Sequence, residues 1–449
     1  MTAVTVEYPA SKASRPAQFK DLIRTKEAQI AVIGLGYVGL PLAVAFAQEG
    51  FRVLGIDVDT ARIDGLQRNE SPVGDVSAAD IATVQASGHL RVDASYQGLA
   101  HADVIFICVP TPCTPNKQPD TSSIASASRG IAEHLRPGQL VVLRSTSYPG
   151  TTEELVLPIL ESSGLTVGRD VFLAFAPERV DPGRRDYTVR NTPVVVGGVD
   201  PESTRRAASL FRTLGMPVKT VSSSVTAELS KLLENVFRNV NIALVNQLAM
   251  LCDRMGLDIW EVVDAAATKP YGFLKFHPGP GVGGHCIPVD PYYLAWKARE
   301  YDFHMDFIEL AARVNEEMPY HVVTKTLLAL NGHRHRSGAV RLLVLGVTFK
   351  KDVDDYRESP ALKIIQLLIQ HGVKVSYHDP YVPNLRVNGH SLTSRPLTAA
   401  ALRSADCVMI VTDHSRIDYR WVVRHARLVM DTRNATREVA DGRAKIVRL

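Results

Sequence analysis

The stretch QIAVIGLGYVGLPLAVAF, residues 29–46, decides the fold. It opens with a short apolar run, and such runs without polar alternation fit strands buried on both faces of a parallel sheet. The run ends in Gly34-Leu-Gly36-Tyr-Val-Gly39 and is followed by a helix-length apolar segment. A glycine triplet alone is also what a purely structural turn would show. Between a strand and a helix each glycine has a use: Gly34 permits the tight turn, Gly36 lets a pyrophosphate approach the backbone, and Gly39 allows the helix to pack closely on the strand. The first amides of the helix then point at phosphate. The next strand closes on Asp57, 18 residues after Gly39, where a carboxylate can accept hydrogen bonds from an adenosine ribose. A 2′-phosphate would face that charge, so NAD is the expected cofactor rather than NADP.

Outward from this turn the pattern repeats. Gln29–Gly34, Arg52–Asp57, Val104–Pro110, Leu140–Ser145, Val171–Ala176 and Val194–Gly197 are short runs rich in Val, Ile, Leu or Phe, separated by helix-length segments. Residues 28–222 therefore read as a NAD-binding Rossmann domain with a parallel sheet. Residues 1–27 read as an N-terminal extension, without fixed structure to Pro16 and with a short helix from Gln18 to Glu27. From Thr226 to Met255 the strand signal gives way to apolar residues at helical spacing: Leu229, Leu232, Leu233, Val236, Val240, Leu244, Leu248 and Leu251, with Gly256 as a stop. A helix of about 30 residues spans roughly 45 Å. It can join two domains and offer contacts for a homodimer or higher homo-oligomer, so residues 223–330 read as a central helical domain.

Past a basic linker, Asn331–Gly338, strands are expected at Arg341–Thr348, Lys374–His378, Cys407–Val411 and Leu428–Asp431, with a helix at Ala361–Gln370. Residues 331–449 thus form a second, Rossmann-like domain. Its first strand runs into Gly346-Val-Thr-Phe349-Lys350-Lys351-Asp352, with no glycine triplet. The two lysines suit either an anionic ligand or a solvated basic turn. The fold class is α/β, two Rossmann-like doubly wound domains joined by a long central helix.

Composition is that of an ordinary globular protein: 449 residues, 45% hydrophobic, 22% charged, net charge +4. That charge gives no reason to expect nucleic acid. Cysteines at 108, 113, 252, 286 and 407 include no CxxC pair, so neither zinc nor a disulfide framework is expected, and a reducing compartment is. With no signal-peptide apolar region and no run of about 18 apolar residues, a cytoplasmic protein without a membrane partner is expected.

Residues 279–291 read GPGVGGHCIPVDP. Four glycines in this window do not suit a helix, and they do suit a backbone wrapped round a ligand. Cys286 follows two of them. A lone cysteine is commonly a buried small hydrophobe, but these surroundings favour a nucleophile. At this point a resemblance covers about residues 20–440: IAVIGLGYVGLPLA, CVPTP (108–112), STSYPGTT (145–152), APER (176–179), KLLEN (231–235), GVGGHCIPVD and FKKDVDDYRESP (349–360) occur in order. The chain resembles the UDP-glucose and GDP-mannose dehydrogenase family. VDPG at 180–183, HPGPGVGGHCIPVDP and YLAWKARE are most similar to the UDP-N-acetylglucosamine 6-dehydrogenase branch.

The resemblance implies four-electron oxidation of the C6 hydroxyl of a UDP-sugar to a uronic acid, through a thiohemiacetal and a thioester on Cys286. By the same resemblance, Lys231 and Asn235 stabilise the oxyanion at C6, Glu178 directs water onto the thioester, Asp290 helps orient or deprotonate that water, and Thr146 positions it. NAD is implied at Gly34, Gly36, Tyr37, Val38, Gly39, Asp57, Arg62, Thr111, Thr146 and Arg357. The UDP-sugar is implied at Glu178, Arg179, Lys231, Asn235, Tyr271, Phe273, Gly281, Val282, Gly283, Gly284 and Lys350. His285 reads as a tuning residue, and His333 and His335 as surface. The UDP-glucose branch usually has a second glutamate where Pro182 stands and GFGGSC where this chain has GVGGHC, which favours UDP-N-acetylglucosamine and leaves UDP-glucose and UDP-N-acetylmannosamine as alternatives. Two other readings remain open: a two-electron dehydrogenase of the 6-phosphogluconate or 3-hydroxyacid kind, and a non-catalytic sensor of NAD or nucleotide sugar.

Overall fold

The computed structural model describes residues 16–114, 116–181, 186–284, 286–333 and 339–449. Residues 1–15, Pro182, Gly183, His285 and His335 lie outside the described residues, as does the side chain of His333. Contacts divide the chain into two units, Met1–Glu234 with Trp296–Asp302, and Asn235–Ala295 with Phe303–Leu449. No helix among the described residues is long and apolar enough to cross a membrane.

The first unit is built on eight strands: β1 (Gln29–Ile33), β2 (Arg52–Ile56), β3 (Leu90–Asp93), β4 (Val104–Ile107), β5 (Leu140–Leu143), β6 (Phe172–Phe175), β7 (Val194–Gly198) and β8 (Val218–Thr220). Their order is β3-β2-β1-β4-β5-β6-β7-β8. Successive residues of the central strands feed two separate apolar clusters. Ile30, Val32, Val104, Phe106, Leu140 and Val142 enter one, while Ala31, Ile33, Ile105, Ile107, Val141 and Leu143 enter the other. That is why these strands show no polar alternation in sequence. The order reverses between β1 and β4, and a doubly wound sheet offers its ligand crevice at such a point, beyond the carboxyl ends of the strands.

Three departures from the sequence reading stand out. Val194–Gly197 was expected in the parallel sheet, yet β7 runs antiparallel to β6, with Ala174 opposite Gly198. A parallel return needs a crossover of about a dozen residues or more, usually helical, and the described part of 176–193 contains no helix. Strands β3 and β8 are short and partly exposed, so they lack the continuous apolar signal. The N-terminal helix is Pro16–Thr25, two residues ahead of its expected start.

The long helix is Ser224–Met255. Gly256, at φ +70°, ends it, and the Leu257 N–H returns to the Cys252 carbonyl at 2.9 Å. Apolar spacing predicts this helix but not its buried face. Leu232, Asn235, Asn239, Ala243, Asn246 and Ala249 are buried, whereas Leu229, Leu233, Phe237, Leu244, Leu248 and Leu251 are exposed.

The second unit holds a parallel sheet of β9 (Arg341–Leu345), β10 (Lys374–His378), β13 (Cys407–Ile410), β14 (Val429–Asp431) and β15 (Ile446–Arg448), in the order β10-β9-β13-β14-β15. Between them lies a hairpin of β11 (Asn384–Val387) and β12 (His390–Thr393). Its two-residue turn is Asn388-Gly389, both at positive φ, the pairing a type I′ hairpin turn favours. Strand β9 stops at Leu345, short of the expected Thr348, because Gly346 turns the chain at φ +79°. The helix Pro360–Gln370 covers this sheet.

Candidate active site

The glycine turn of the first unit has the geometry that a dinucleotide needs. Gly34 takes φ +91°, and a Cβ there would meet the Cys108 carbonyl oxygen at 2.5 Å. A Cβ on Gly39 would sit 1.8 Å from the Gly34 oxygen, whereas one on Gly36 would find nothing within 4 Å. Gly34 and Gly39 are thus glycine for the chain's own packing, and the backbone at Gly36 is left open to a phosphate. The helix Gly39–Gln48 is capped by Val38 without a side-chain hydrogen bond, which suits an N-terminus that receives an anion. Thr111 is half-buried in the segment beyond β4.

Asp57 stands where the ribose carboxylate was expected, but it is not an uncompensated charge. Its Oδ2 accepts from the Leu35 N–H and from Arg62 Nη1, both at 2.8 Å, and its Oδ1 from the Asp59 N–H at 3.0 Å. With Arg62 on its carboxylate, Asp57 opposes a 2′-phosphate less than a bare charge would. The turn, the helix end and the acid together fit NAD.

The segment Ser145–Thr152 carries Thr146, which is half-buried. It is tied to the long helix by Glu228, whose carboxylate accepts from the Gly150 N–H at 2.6 Å, the Thr152 N–H at 2.9 Å and the Thr152 hydroxyl at 2.6 Å. Burial nevertheless pushes the Glu228 carboxyl up to about 7, against those hydrogen bonds and with help from the neighbouring Glu153. Lys231, further along the same helix, is half-buried and makes no hydrogen bond or ion pair among the described residues. Glu178 lies just beyond β6. Its Oε1 accepts from the N–H groups of Arg179 and Val180 at 2.7 and 2.8 Å, and its Oε2 from Arg144 Nη2 at 2.6 Å. Arg179 itself is engaged with Glu234 at 2.6 Å and with the Pro193 carbonyl at 2.7 Å, so a substrate would have to compete for it.

In the second unit, Cys286 is the exposed member of five free cysteines. Burial pushes the Cys108 and Cys407 thiols up to about 12, which makes them inert. The Cys286 carbonyl accepts from the N–H groups of Val289 at 3.1 Å and Asp290 at 2.8 Å. The cysteine thus opens the turn into the helix Asp290–Ala298. Asp290 accepts from Asn235 Nδ2 at 2.5 Å.

A ladder of buried amides extends from there. Asn239 donates to the Ile287 carbonyl at 2.8 Å, Asn315 donates to Asn239 Oδ1 at 3.1 Å, and Asn246 donates to Asn315 Oδ1 at 2.9 Å. Asn246 also accepts from the Gly279 N–H at 2.9 Å. Both ends of the loop that carries Cys286 are thereby tied to the long helix. Within this unit the close approaches of the loop glycines are to the chain itself. A Cβ on Gly283 would lie 2.7 Å from Phe349, on Gly281 3.3 Å from Pro360, and on Gly279 2.7 Å from Arg433. A Cβ on Gly284 would lie 3.0 Å from the Phe349 ring. Val282 and Lys350 are half-buried, and Tyr271 and Phe273 are exposed. Arg357 is paired with Asp355 at 2.6 Å.

The sequence reading misses Arg144, Glu228, Asn239, Asn246 and Asn315. The signals available were a charge directly after the apolar run Leu140–Leu143 and polar residues on the face of the long helix that bears Asn235.

The glycine turn and its acid place the chain among NAD-binding dehydrogenases. Three models of one family match it in order: the NAD binding domain of the UDP-glucose/GDP-mannose dehydrogenase family at residues 28–215, its central domain at 225–317 and its UDP binding domain at 343–438. The UDP-N-acetyl-D-glucosamine 6-dehydrogenase of Pseudomonas aeruginosa is 36% identical over 392 residues, 87% of this chain and 91% of that protein. A UDP-N-acetyl-D-mannosamine dehydrogenase of Pyrococcus horikoshii is 36% identical over 421 residues, 91% of this chain and 96% of that protein. A solved structure of the UDP-D-ManNAc dehydrogenase from P. horikoshii covers 94% of this chain and 98% of its own, at 34% identity and a TM-score of 0.83. The chain belongs to the UDP-glucose/GDP-mannose dehydrogenase family, and it is an NAD-dependent nucleotide-sugar 6-dehydrogenase.

Proposed function

We propose that the chain oxidises the C6 hydroxyl of UDP-N-acetylglucosamine to the carboxylate through an intermediate covalently bound to Cys286. The observation that carries this reading is the exposed thiol of Cys286 at the N-terminal approach to a helix, in a loop tied down by buried amides. Bound NAD supplies a hydride acceptor, used twice. The Cys286 sulfur adds to the C6 aldehyde to form a thiohemiacetal, and the second oxidation leaves a thioester on the same sulfur. Covalent capture holds a reactive aldehyde that could otherwise escape between the two oxidations. The Lys231 ammonium and the amide of Asn235 stabilise the oxyanion at C6. Glu178 and Thr146 orient the hydrolytic water, and Asp290 helps to orient or deprotonate it.

Residues 28–222 bind NAD through Gly34, Gly36, Tyr37, Val38, Gly39, Asp57, Arg62 and Thr111, with Arg357 directed to its phosphates. Residues 331–449, with Lys350, serve the UDP moiety together with Tyr271, Phe273 and the loop 281–284. The exposed leucines of the long helix suit self-association into a homodimer or higher homo-oligomer, and five free cysteines suit the cytoplasm.

UDP-N-acetylmannosamine is the second reading, supported by a relative of that name at the same 36% identity. A panel of UDP- and GDP-sugars assayed for NADH decides between them, and a preference for UDP-glucose would overturn both. The covalent chemistry has its own test. Glu178→Gln should release about two NADH per site in a burst and then nearly stop, with the acyl group on Cys286 by mass spectrometry. Full turnover by Cys286→Ala would refute it.

A further inference from the structure

We infer that Arg144 is a positioning residue for thioester hydrolysis: it fixes the Glu178 carboxylate so that one acceptor site, on Oε2, is left to orient the attacking water. The inference rests on the roles proposed above for Cys286 and Glu178.

Arg144 follows β5 directly and is only 2% exposed. Its guanidinium lies 5.3 Å from the centroid of the Phe211 ring. Nη2 donates to Glu178 at 2.6 Å, while Nε and Nη1 have no hydrogen-bond partner among the described residues. Removing a guanidinium from water is expensive, and leaving two of its donors unmade adds to the penalty. The Phe211 ring offsets part of the first cost but satisfies neither donor, and a methionine of similar length would pack there without the penalty. Besides the Phe211 ring, the arginine has one hydrogen-bond partner among the described residues, and that partner is Glu178.

The carboxylate shows what the contact does. An ionised carboxylate has about four lone-pair sites. Two on Oε1 are filled by the N–H groups of Arg179 and Val180, and one on Oε2 by Arg144. All three partners are N–H donors that cannot take a proton. The site that remains accepts an O–H from one water in a fixed direction. The oxygen of that water bonds to the acyl carbon, and the C–S bond breaks with its electron pair on the Cys286 sulfur. One water proton stays on the product acid and the other returns to sulfur. Glu178 acts in this scheme as an oriented acceptor, and Arg144 sets the orientation.

Rapid-mixing kinetics of NADH release, with mass spectrometry of Cys286, test the idea in Arg144→Met, Arg144→Lys, Glu178→Gln and the double variant Arg144→Met/Glu178→Gln. Arg144→Met should give the two-NADH burst at the wild-type rate, then a steady state slowed by about 10- to 100-fold, the scale of a small misplacement, with acylated Cys286 accumulating. Arg144→Lys, which keeps one donor, should recover most of the turnover. In the Glu178→Gln background, Arg144→Met should change neither phase by more than about twofold, because a residue that acts through Glu178 has nothing left to act on. If Arg144→Met does not fold, this last comparison still decides, since the double variant carries no unpaired buried charge. Slowing of the first hydride transfer in step with turnover, or a further loss in the double variant, would mean a merely structural role and overturn the inference. A burst in Glu178→Gln with none in Arg144→Met would end this inference alone, and no burst in Glu178→Gln would end the underlying hydrolysis scheme as well.

Discussion

Glu228 should give this protein a pH-dependent stability that a single substitution removes. The carboxyl is 1% exposed and receives three hydrogen bonds, two from backbone N–H groups and one from the Thr152 hydroxyl. Burial outweighs them and raises its pKa from an ordinary 4.5 to about 7. Between those values the folded chain holds a proton that the unfolded chain gives up, so the stability from this group is complete below about pH 4.5 and lost as pH rises through about 7. Each step of one in pKa is worth about 1.4 kcal/mol, so the loss approaches about 3 kcal/mol. When protonated, the carboxyl can donate to the Thr152 hydroxyl, which can both donate and accept. Glu228→Gln cannot titrate. Its amide also presents N–H groups to at least one backbone N–H, an offset of about 1–3 kcal/mol that does not vary with pH. The informative quantity is therefore the difference in Tm between wild type and variant across pH 5 to 8 at constant ionic strength. The wild-type advantage should shrink, or the deficit grow, by several degrees over that range, on the order of 5 °C. Amide exchange at Gly150 and Thr152 should follow the same transition locally. Parallel Tm curves for the two proteins would refute the reasoning.

Two further outcomes follow from the same geometry. Asp57→Asn releases Arg62 from its 2.8 Å ion pair to meet a 2′-phosphate, so the NADP-to-NAD ratio of kcat/KM should rise by about 10-fold or more; an unchanged ratio would remove Asp57 and Arg62 from cofactor choice. Val282→Phe should depress kcat/KM for UDP-N-acetylglucosamine by about 10- to 200-fold more than for UDP-glucose, and equal losses would show that the position acts only through packing of its loop.

What could be read in the sequence was whatever burial writes as an unbroken apolar run. Strands β1, β4 and β5 are buried on both faces, and the glycine turn follows one of them, so fold class, cofactor turn and Asp57 were all visible. Strand direction was not, because the reversal of β7 depends on what the chain does between 176 and 193. The hairpin at 384–393 is legible in principle from Asn388-Gly389. The deeper failure concerns buried polar groups. The leucines of the long helix suggest its core face, yet the face that packs within the second unit carries Asn235, Asn239 and Asn246. A sequence cannot say that an asparagine is buried until the partner that satisfies it is known. Here that partner is Asn315, 69 residues from Asn246. Arg144 and Glu228 were hidden for the same reason.

The two nucleotide folds in this chain show how little of a site the backbone turn itself determines. Each first strand ends in a glycine at positive φ, Gly34 and Gly346. Each next residue donates its N–H to an aspartate at the end of the neighbouring strand, Leu35 to Asp57 at 2.8 Å and Val347 to Asp379 at 2.7 Å. The aspartates then part company. Asp57 is covered on one side by Arg62, a partly exposed side chain. Asp379 also accepts from the N–H groups of Tyr381 and Val382 and faces His414 Nε2 at 3.1 Å. Because His414 Nδ1 accepts from the Asp352 N–H at 3.0 Å, its proton sits on Nε2, where it donates to Asp379. Burial would raise the Asp379 carboxyl, but the histidine and the amides outweigh it and hold it below its ordinary range. Displacing a fully buried histidine to free that carboxylate for a ribose would strand both groups. The acid of the second fold therefore holds a loop in place, the segment between Val347 and Asp352 that carries Lys350.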